Sequence, residues 1–149
     1  MDAALRLLAH RARSRREIEQ RLRRHGVAPE TIEQTLVRLA GQGYVDDEQF
    51  ARQWAESRVR TGHGRRRIAV ELRAKGVATQ TIRDTLAGTD AQQEYEAARR
   101  LALQRLRAWR GLDAAAVRRR LYGWLQRRGY AGDVIEQVLA RLAPDDDSA

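Results

Sequence analysis

The sequence predicts an all-α fold of three tandem three-helix units, each resembling a helix-turn-helix. Two observations lead to this prediction. The 149 residues are rich in Ala, Leu, Arg, Glu and Gln and poor in β-branched runs, a composition that favours helix over sheet. The sequence also repeats: residues 18–37 align without a gap with residues 68–87, ten of the twenty being identical, and residues 121–140 form a third copy. Short connections between such units predict an elongated stack that can curve.

Each repeat copy has the pattern of a helix, a glycine turn and a second helix. Ile18 and Leu22 lie four residues apart and therefore share one helical face. Gly26 predicts the end of that helix, because glycine adopts the left-handed conformation cheaply, and Pro29 suits the start of the next helix. Gly76 and Gly129 are expected to end the corresponding helices of the other copies.

Periodicity predicts a further helix before each pair. The first spans about residues 3–12, and its inward positions are expected to be Leu5, Leu8 and Ala9. The second opens at Asp46 with Gln49 placed as in a capping box, and its apolar stripe is Phe50, Ala51, Trp54 and Ala55. The third spans about residues 91–109, with a stripe formed by Tyr95, Ala98, Ala102, Leu106 and Trp109, and Asp113 is expected to cap the helix that follows.

Glycines and polar residues predict the boundaries. The first unit spans residues 1–42, the second 43–89 and the third 90–143, and the acidic tail 144–149 is expected to be disordered. Within the second unit, residues 61–64 read as a flexible turn that exposes His63.

Charge is concentrated in the middle helix of each unit. The chain has 29 basic and 20 acidic residues, a net charge of +9, and Lys75 is its only lysine. Windows 14–26, 64–76 and 117–129 hold fifteen basic residues against three acidic ones, a net charge of +12, so the rest of the chain carries −3. A general arginine bias would not segregate in this way, and the pattern favours a cationic surface for an anionic partner over an ordinary solvated helix face.

The candidate binding residues follow from that segregation, and Arg16, Arg66 and Arg119 occupy equivalent positions away from the Ile/Leu face. The full set is Arg15, Arg16, Arg23, Arg24, Arg65, Arg66, Arg67, Arg73, Lys75, Arg118, Arg119, Arg120, Arg127 and Arg128.

No residue pattern indicates an enzyme. The chain has no cysteine, and His10, His25 and His63 lack metal-ligand spacing, so no metal or other cofactor is expected. Adjacent Asp46 and Asp47 suit helix capping better than acid–base chemistry. Phosphate-loop, dinucleotide-binding and nucleophile-elbow motifs do not occur. Without a signal peptide or an apolar run of membrane-span length, a cytoplasmic protein with no membrane partner is expected.

Three stretches resemble the bacterial RecX family, regulators of RecA. Residues 4–18 read ALRLLAHRARSRREI, residues 43–51 read GYVDDEQFA and residues 64–77 read GRRRIAVELRAKGV. The resemblance spans nearly the whole chain and implies three tandem three-helix motifs. It also implies a modulator, mainly an inhibitor, that binds in the groove of the RecA–DNA filament and suppresses its ATPase, strand-exchange and coprotease activities. Single- or double-stranded DNA is a further implied partner, and we expect a monomer.

Two other functions stay open. Basic helices joined by glycine turns also suit a helix-turn-helix type of DNA-binding protein that acts without RecA. An adaptor that binds an acidic protein is a third hypothesis, which no residue favours specifically.

Overall fold

The computed structural model describes residues 1–143, which form nine α-helices and contain no β-strand. The helices are α1 (Asp2–His10), α2 (Arg15–Arg24), α3 (Pro29–Gly41), α4 (Asp47–Arg60), α5 (Arg65–Ala74), α6 (Thr79–Ala87), α7 (Ala91–Ala108), α8 (Ala114–Arg127) and α9 (Gly132–Leu142). This order confirms the predicted all-α fold of three three-helix units. Within residues 1–143, no helix combines the length and the apolar character that a membrane span requires. The predicted acidic tail lies outside the described residues.

Two compact units are distinguished by their contacts. Among the described residues, the first contains residues 1–54 and 71–87, and the second contains residues 55–70 and 88–143. Residues of α4 and α5 therefore belong to both.

The first unit has a core of aliphatic side chains from α1, α2 and α3. Its buried members are Ala4, Ile18, Leu22, Ile32, Leu36, Leu39 and Val45. The prediction for α1 was wrong in part: Leu8 packs against this core, but Leu5 is 37% exposed and Ala9 is also exposed. Ala4, fully buried where α1 packs on α2, takes the inward position. Leu5 follows it about 100° further round the helix and therefore points outward.

The middle helices end at the predicted glycines. Gly26, Gly76 and Gly129 have φ values of +76°, +78° and +95°, which only glycine adopts without strain. The residue after each glycine donates its backbone N–H to a carbonyl five residues earlier, as from Val27 to Leu22 at 3.1 Å. This is the hydrogen bond of a Schellman motif, and it confirms the predicted helix stops.

The second unit contains a core in which α7 packs against α8 and α9. Its buried members are Tyr95, Ala98, Ala102, Leu121, Leu125, Tyr130, Ile135, Val138 and Leu139, with Leu106 and Trp109 packed partly against them. The predicted α7 stripe is therefore confirmed. The predicted cap at Asp113 is confirmed as well, since its carboxylate accepts a hydrogen bond from the Ala116 backbone N–H at 3.2 Å.

Helix α4 begins as the sequence predicts. The Asp46 carboxylate accepts from the Gln49 backbone N–H at 3.1 Å. Phe50, Ala51 and Ala55 are buried, whereas Trp54 is half-buried and stacks on Phe50 with ring centroids 5.9 Å apart.

The turn at residues 61–64 is packed, which corrects the prediction for His63. This side chain is only 9% exposed, and its Nδ1 lies 3.2 Å from Thr61 Oγ1. Glycines at positions 62 and 64 let Leu101 and the Tyr130 backbone approach the turn closely, and this packing around the two neighbours of His63 explains its burial.

Candidate binding residues on the middle helices

Equivalent arginines of α2, α5 and α8 have the exposure that the sequence predicts. Arg16, Arg66 and Arg119 are exposed, whereas Ile18 and Ile68 on the same helices are fully buried. Within residues 1–143 these three arginines form no salt bridge. Each guanidinium can therefore exchange water for an external anion without breaking an ion pair among these described residues.

The first arginine of each middle helix, in contrast, is engaged within the chain. Arg15 pairs with Glu33 at 2.8 Å, and Arg118 pairs with the equivalent Glu136 at 2.9 Å. These two pairs connect the middle helix to the last helix of the first and third repeats. The corresponding position in the second repeat is Arg83, so Arg65 needs a different carboxylate.

That carboxylate is Glu94 of α7, which sequence reasoning missed. Its side chain is 3% exposed, and one oxygen lies 2.8 Å from Nε of Arg65. The same guanidinium donates to the Thr89 carbonyl at 3.1 Å. Because a buried carboxylate needs a compensating charge, Arg65 has a structural role.

The N-terminus of α2 is fixed by several hydrogen bonds. Ser14 and Glu17 form a capping box, and the Ser14 hydroxyl also donates to the Lys75 carbonyl at 2.6 Å. The carboxylate of Asp47 accepts from the Arg15 backbone N–H at 2.9 Å. The Ser-x-x-Glu spacing could have revealed the capping box, but no sequence signal pairs Asp47 with α2.

A related junction joins the N-terminus of α5 to the C-terminus of α8 in the second unit. The backbone N–H groups of Gly64 and Arg66 donate to the carbonyls of Arg128 and Gly129, at 2.9 and 3.1 Å. The Arg128 guanidinium completes the junction by donating to the carbonyls of Gly62 at 2.8 Å and Thr61 at 3.0 Å. Arg128 is therefore another candidate with a structural role.

Helix α8 starts one turn earlier than its counterparts. Aligned by the repeats, Arg118 corresponds to Arg15 and Arg65, which begin α2 and α5, but α8 begins at Ala114. The repeat position at which α2 and α5 begin therefore lies inside α8, and the N-terminus of α8 is not located there.

Lys75 belongs to an ionic network in the first unit. Its ammonium lies 3.0 Å from Glu17, and Arg11 binds the same carboxylate at 2.8 Å. Burial raises the pKa of Glu17, but hydrogen bonds from Arg11, Lys75 and the Ser14 backbone outweigh burial and lower the pKa to about 2. The Lys75 ammonium also lies 5.0 Å from the Trp54 ring centroid, so it contributes to packing.

The remaining candidates are exposed. Arg23 pairs with Glu19 one turn earlier at 2.6 Å, a contact of small energy on an exposed helix. The other exposed members are Arg24, Arg67, Arg73, Arg120 and Arg127. Among residues 1–143, no cluster of three or more His, Asp or Glu side chains could hold a metal ion.

These helices define an all-helical repeat protein with exposed arginines at equivalent positions of its three middle helices. Family models match it in three stretches: the first three-helix domain of RecX at residues 1–39, the second at 46–86 and the third at 92–139. The chain therefore belongs to the RecX family.

Curated relatives agree with this assignment. The chain is 43% identical over 144 residues to a protein of Mycobacterium avium named Regulatory protein RecX, covering 95% of this chain and 83% of the relative. It is 38% identical over 143 residues to the protein of that name from Streptomyces coelicolor, covering 95% and 76%. The crystal structure of RecX from Lactobacillus salivarius has the same fold, with a TM-score of 0.88, 21% identity and coverage of 95% of this chain and 92% of that chain.

Proposed function

We propose that this protein inhibits RecA by binding in the groove of the RecA–DNA filament, where it suppresses ATP hydrolysis, strand exchange and coprotease activity. The observation that carries the proposal is the set of exposed arginines at equivalent positions of the middle helices, Arg16, Arg66 and Arg119, in a member of a regulatory family. A helical filament presents the same acidic or phosphate groups repeatedly, and a repeated cationic motif complements such a surface.

The contacts within the chain narrow the candidate set. Arg15, Arg65, Arg118 and Arg128 bind carboxylates or carbonyls of the chain itself, so recruiting them would break those interactions. Arg16, Arg66, Arg73, Arg119 and Arg120 are exposed and form no salt bridge within residues 1–143, so a partner can bind them without breaking one. Guanidinium groups bind carboxylate and phosphate with two parallel hydrogen bonds. We therefore assign partner binding mainly to Arg16, Arg66, Arg73, Arg119 and Arg120.

Titration into a RecA ATPase assay on single-stranded DNA tests this function. We expect inhibition below one copy of this protein per RecA monomer, because an inhibitor that spans several subunits or ends filament growth acts substoichiometrically. Unchanged ATP hydrolysis at a molar excess of folded protein would refute the proposal.

The exposed arginines also favour a second function, direct DNA binding without RecA. In that case duplex affinity would fall steeply with salt, because each neutralised phosphate contributes about 0.9 to the slope of log affinity against log salt concentration. An affinity that barely changes between low and moderate salt would exclude this alternative. Under either function we expect a cytoplasmic monomer, and sedimentation measures the oligomeric state.

A further inference from the structure

A cationic cavity in the first unit is a candidate ligand site. It has a volume of about 410 Å³ and lies among the α1–α2 connection, α2, the last residue of α5, Ala74, and the adjoining Lys75. Its charged lining consists of Arg11, Arg13, Arg21, Arg24 and Lys75, with Glu17 as the carboxylate. The lining therefore carries a surplus of four positive charges.

The carboxylate in this cavity is already compensated. Glu17 receives hydrogen bonds from Arg11 at 2.8 and 3.3 Å, from Lys75 at 3.0 Å and from the Ser14 backbone N–H at 3.0 Å. Two cations and three donor groups thus satisfy its charge, and it opposes an incoming anion only weakly.

Three further arginines supply uncompensated charge. Arg13 donates through Nε to the Leu7 carbonyl at 3.1 Å, which positions its guanidinium and leaves the terminal nitrogens as donors. Arg21 and Arg24 are exposed on consecutive turns of α2. Within residues 1–143 none of the three forms a salt bridge.

The geometry suits phosphate better than carboxylate. The cations that line the cavity come from three segments of the chain: the α1–α2 connection, α2 and the residue after α5. A phosphate group has tetrahedrally arranged oxygens that can accept from several directions, whereas the two oxygens of a carboxylate lie in one plane. The volume is that of a small-molecule site, for which about 300–1,000 Å³ is typical.

We propose that this cavity binds the di- or triphosphate group of a small anion, supplied either by an inorganic polyphosphate or by a nucleotide. The surplus of positive charge matches a ligand with several negative charges, and a single phosphodiester would leave most of it uncompensated. This inference goes beyond RecA inhibition and requires neither RecA nor DNA.

Calorimetric titration of the full chain with tripolyphosphate, and separately with ATP, tests the proposal at about 150 mM salt, where nonspecific attraction is screened. We expect one ligand per chain. Arg21→Glu should weaken binding by at least about tenfold, because it removes a charge-assisted contact and adds a carboxylate to the lining. Arg21→Gln should weaken binding by about threefold or more. This variant replaces Arg21→Glu in the test if the charge reversal perturbs folding.

Arg38→Glu is the matched control, since Arg38 is exposed on α3 and lies outside the cavity lining. It makes the same change in net charge and should alter affinity by less than about threefold. Similar affinities for the two ligands would identify the inorganic chain as sufficient, and clearly tighter ATP binding would identify a nucleotide. Equal weakening by Arg21→Glu and Arg38→Glu, or no binding of either ligand at millimolar concentration, would overturn the proposal. A third result would also overturn it: an oligothymidine or a polyglutamate peptide binds in an Arg21-dependent way, and tripolyphosphate does not displace it.

Discussion

Replacing Gly64 with alanine should perturb the junction between the N-terminus of α5 and the C-terminus of α8. A Cβ at position 64 would overlap the Gly129 carbonyl and the Tyr130 backbone nitrogen, and neither group can move as a flexible side chain does. The helices must separate to relieve this overlap. The separation weakens the hydrogen bonds from Gly64 to Arg128 and from Arg66 to Gly129.

The magnitude follows from these two bonds. Each contributes about 0.5–1.5 kcal/mol, so losing both costs about 1–3 kcal/mol. Alanine recovers about 0.4–1 kcal/mol by restricting the unfolded chain, because the φ of Gly64 lies outside the left-handed region. The net expectation is a loss of about 1–2 kcal/mol.

Urea unfolding followed by circular dichroism measures this loss. With a slope of about 1–3 kcal/mol per molar urea, a loss of about 1–2 kcal/mol should lower the midpoint by about 0.3–2 M. Gly41→Ala is the control, because nothing lies within 4 Å of a Cβ at this α3 position. Its midpoint should stay constant or rise slightly. If Gly64→Ala and Gly41→Ala unfold at the same urea concentration, the close approach at Gly64 does not stabilise the fold and the reasoning is refuted.

Two further predictions concern buried or half-buried charge. Glu17→Gln should destabilise the protein by about 2 kcal/mol at neutral pH. The pKa of Glu17 is 4.5 in the unfolded chain and about 2 in the folded one, and this difference corresponds to about 3 kcal/mol. Solvent around the exposed Arg11 reduces that value. Because the folded pKa is lowered, the stabilisation is present above about pH 4.5 and is lost as the pH falls towards 2, so denaturant midpoints of the two proteins should converge there. A midpoint difference that does not change between pH 7 and pH 2.5 would contradict this assignment. Arg65→Met should cost about 2–4 kcal/mol, because it leaves the buried Glu94 carboxylate without its cation. Arg65→Met combined with Glu94→Leu should recover at least half of that loss, and a double variant as unstable as the sum of both single variants would argue against the ion pair.

Most of the fold could be predicted from the sequence because the repeats align without gaps. The glycines at 26, 76 and 129 mark helix stops through a local conformational requirement, and periodicity identifies buried positions such as Ile18 and Leu22. The α1 face was misassigned because several apolar residues in its nine positions fit more than one face. Packing of α1 against α2 at Ala4 decides between these faces, and the sequence of α1 alone does not contain that contact.

The candidate residues were harder to sort from sequence, because exposure and pairing depend on the tertiary structure. Arg15 and Arg16 are adjacent and chemically identical, yet Arg15 pairs with Glu33, eighteen residues away, while Arg16 is exposed. Glu94 gave no signal as the partner of Arg65, since it lies in a different repeat. His63 was misplaced for a similar reason, because its burial follows from packing around Gly62 and Gly64.

The most direct measurement of the central claim is RecA ATPase inhibition by the charge-reversal variant Arg16→Glu, Arg66→Glu and Arg119→Glu. The comparison is a matched triple reversal at the exposed residues Arg38, Arg83 and Arg107, which lie on α3, α6 and α7. Both variants must retain the helical content and unfolding midpoint of the original protein. If the middle helices bind the filament, the first variant should require at least about tenfold more protein for half inhibition, and the control should stay within about threefold. Equal inhibition by the two variants would contradict the assignment of filament binding to these arginines.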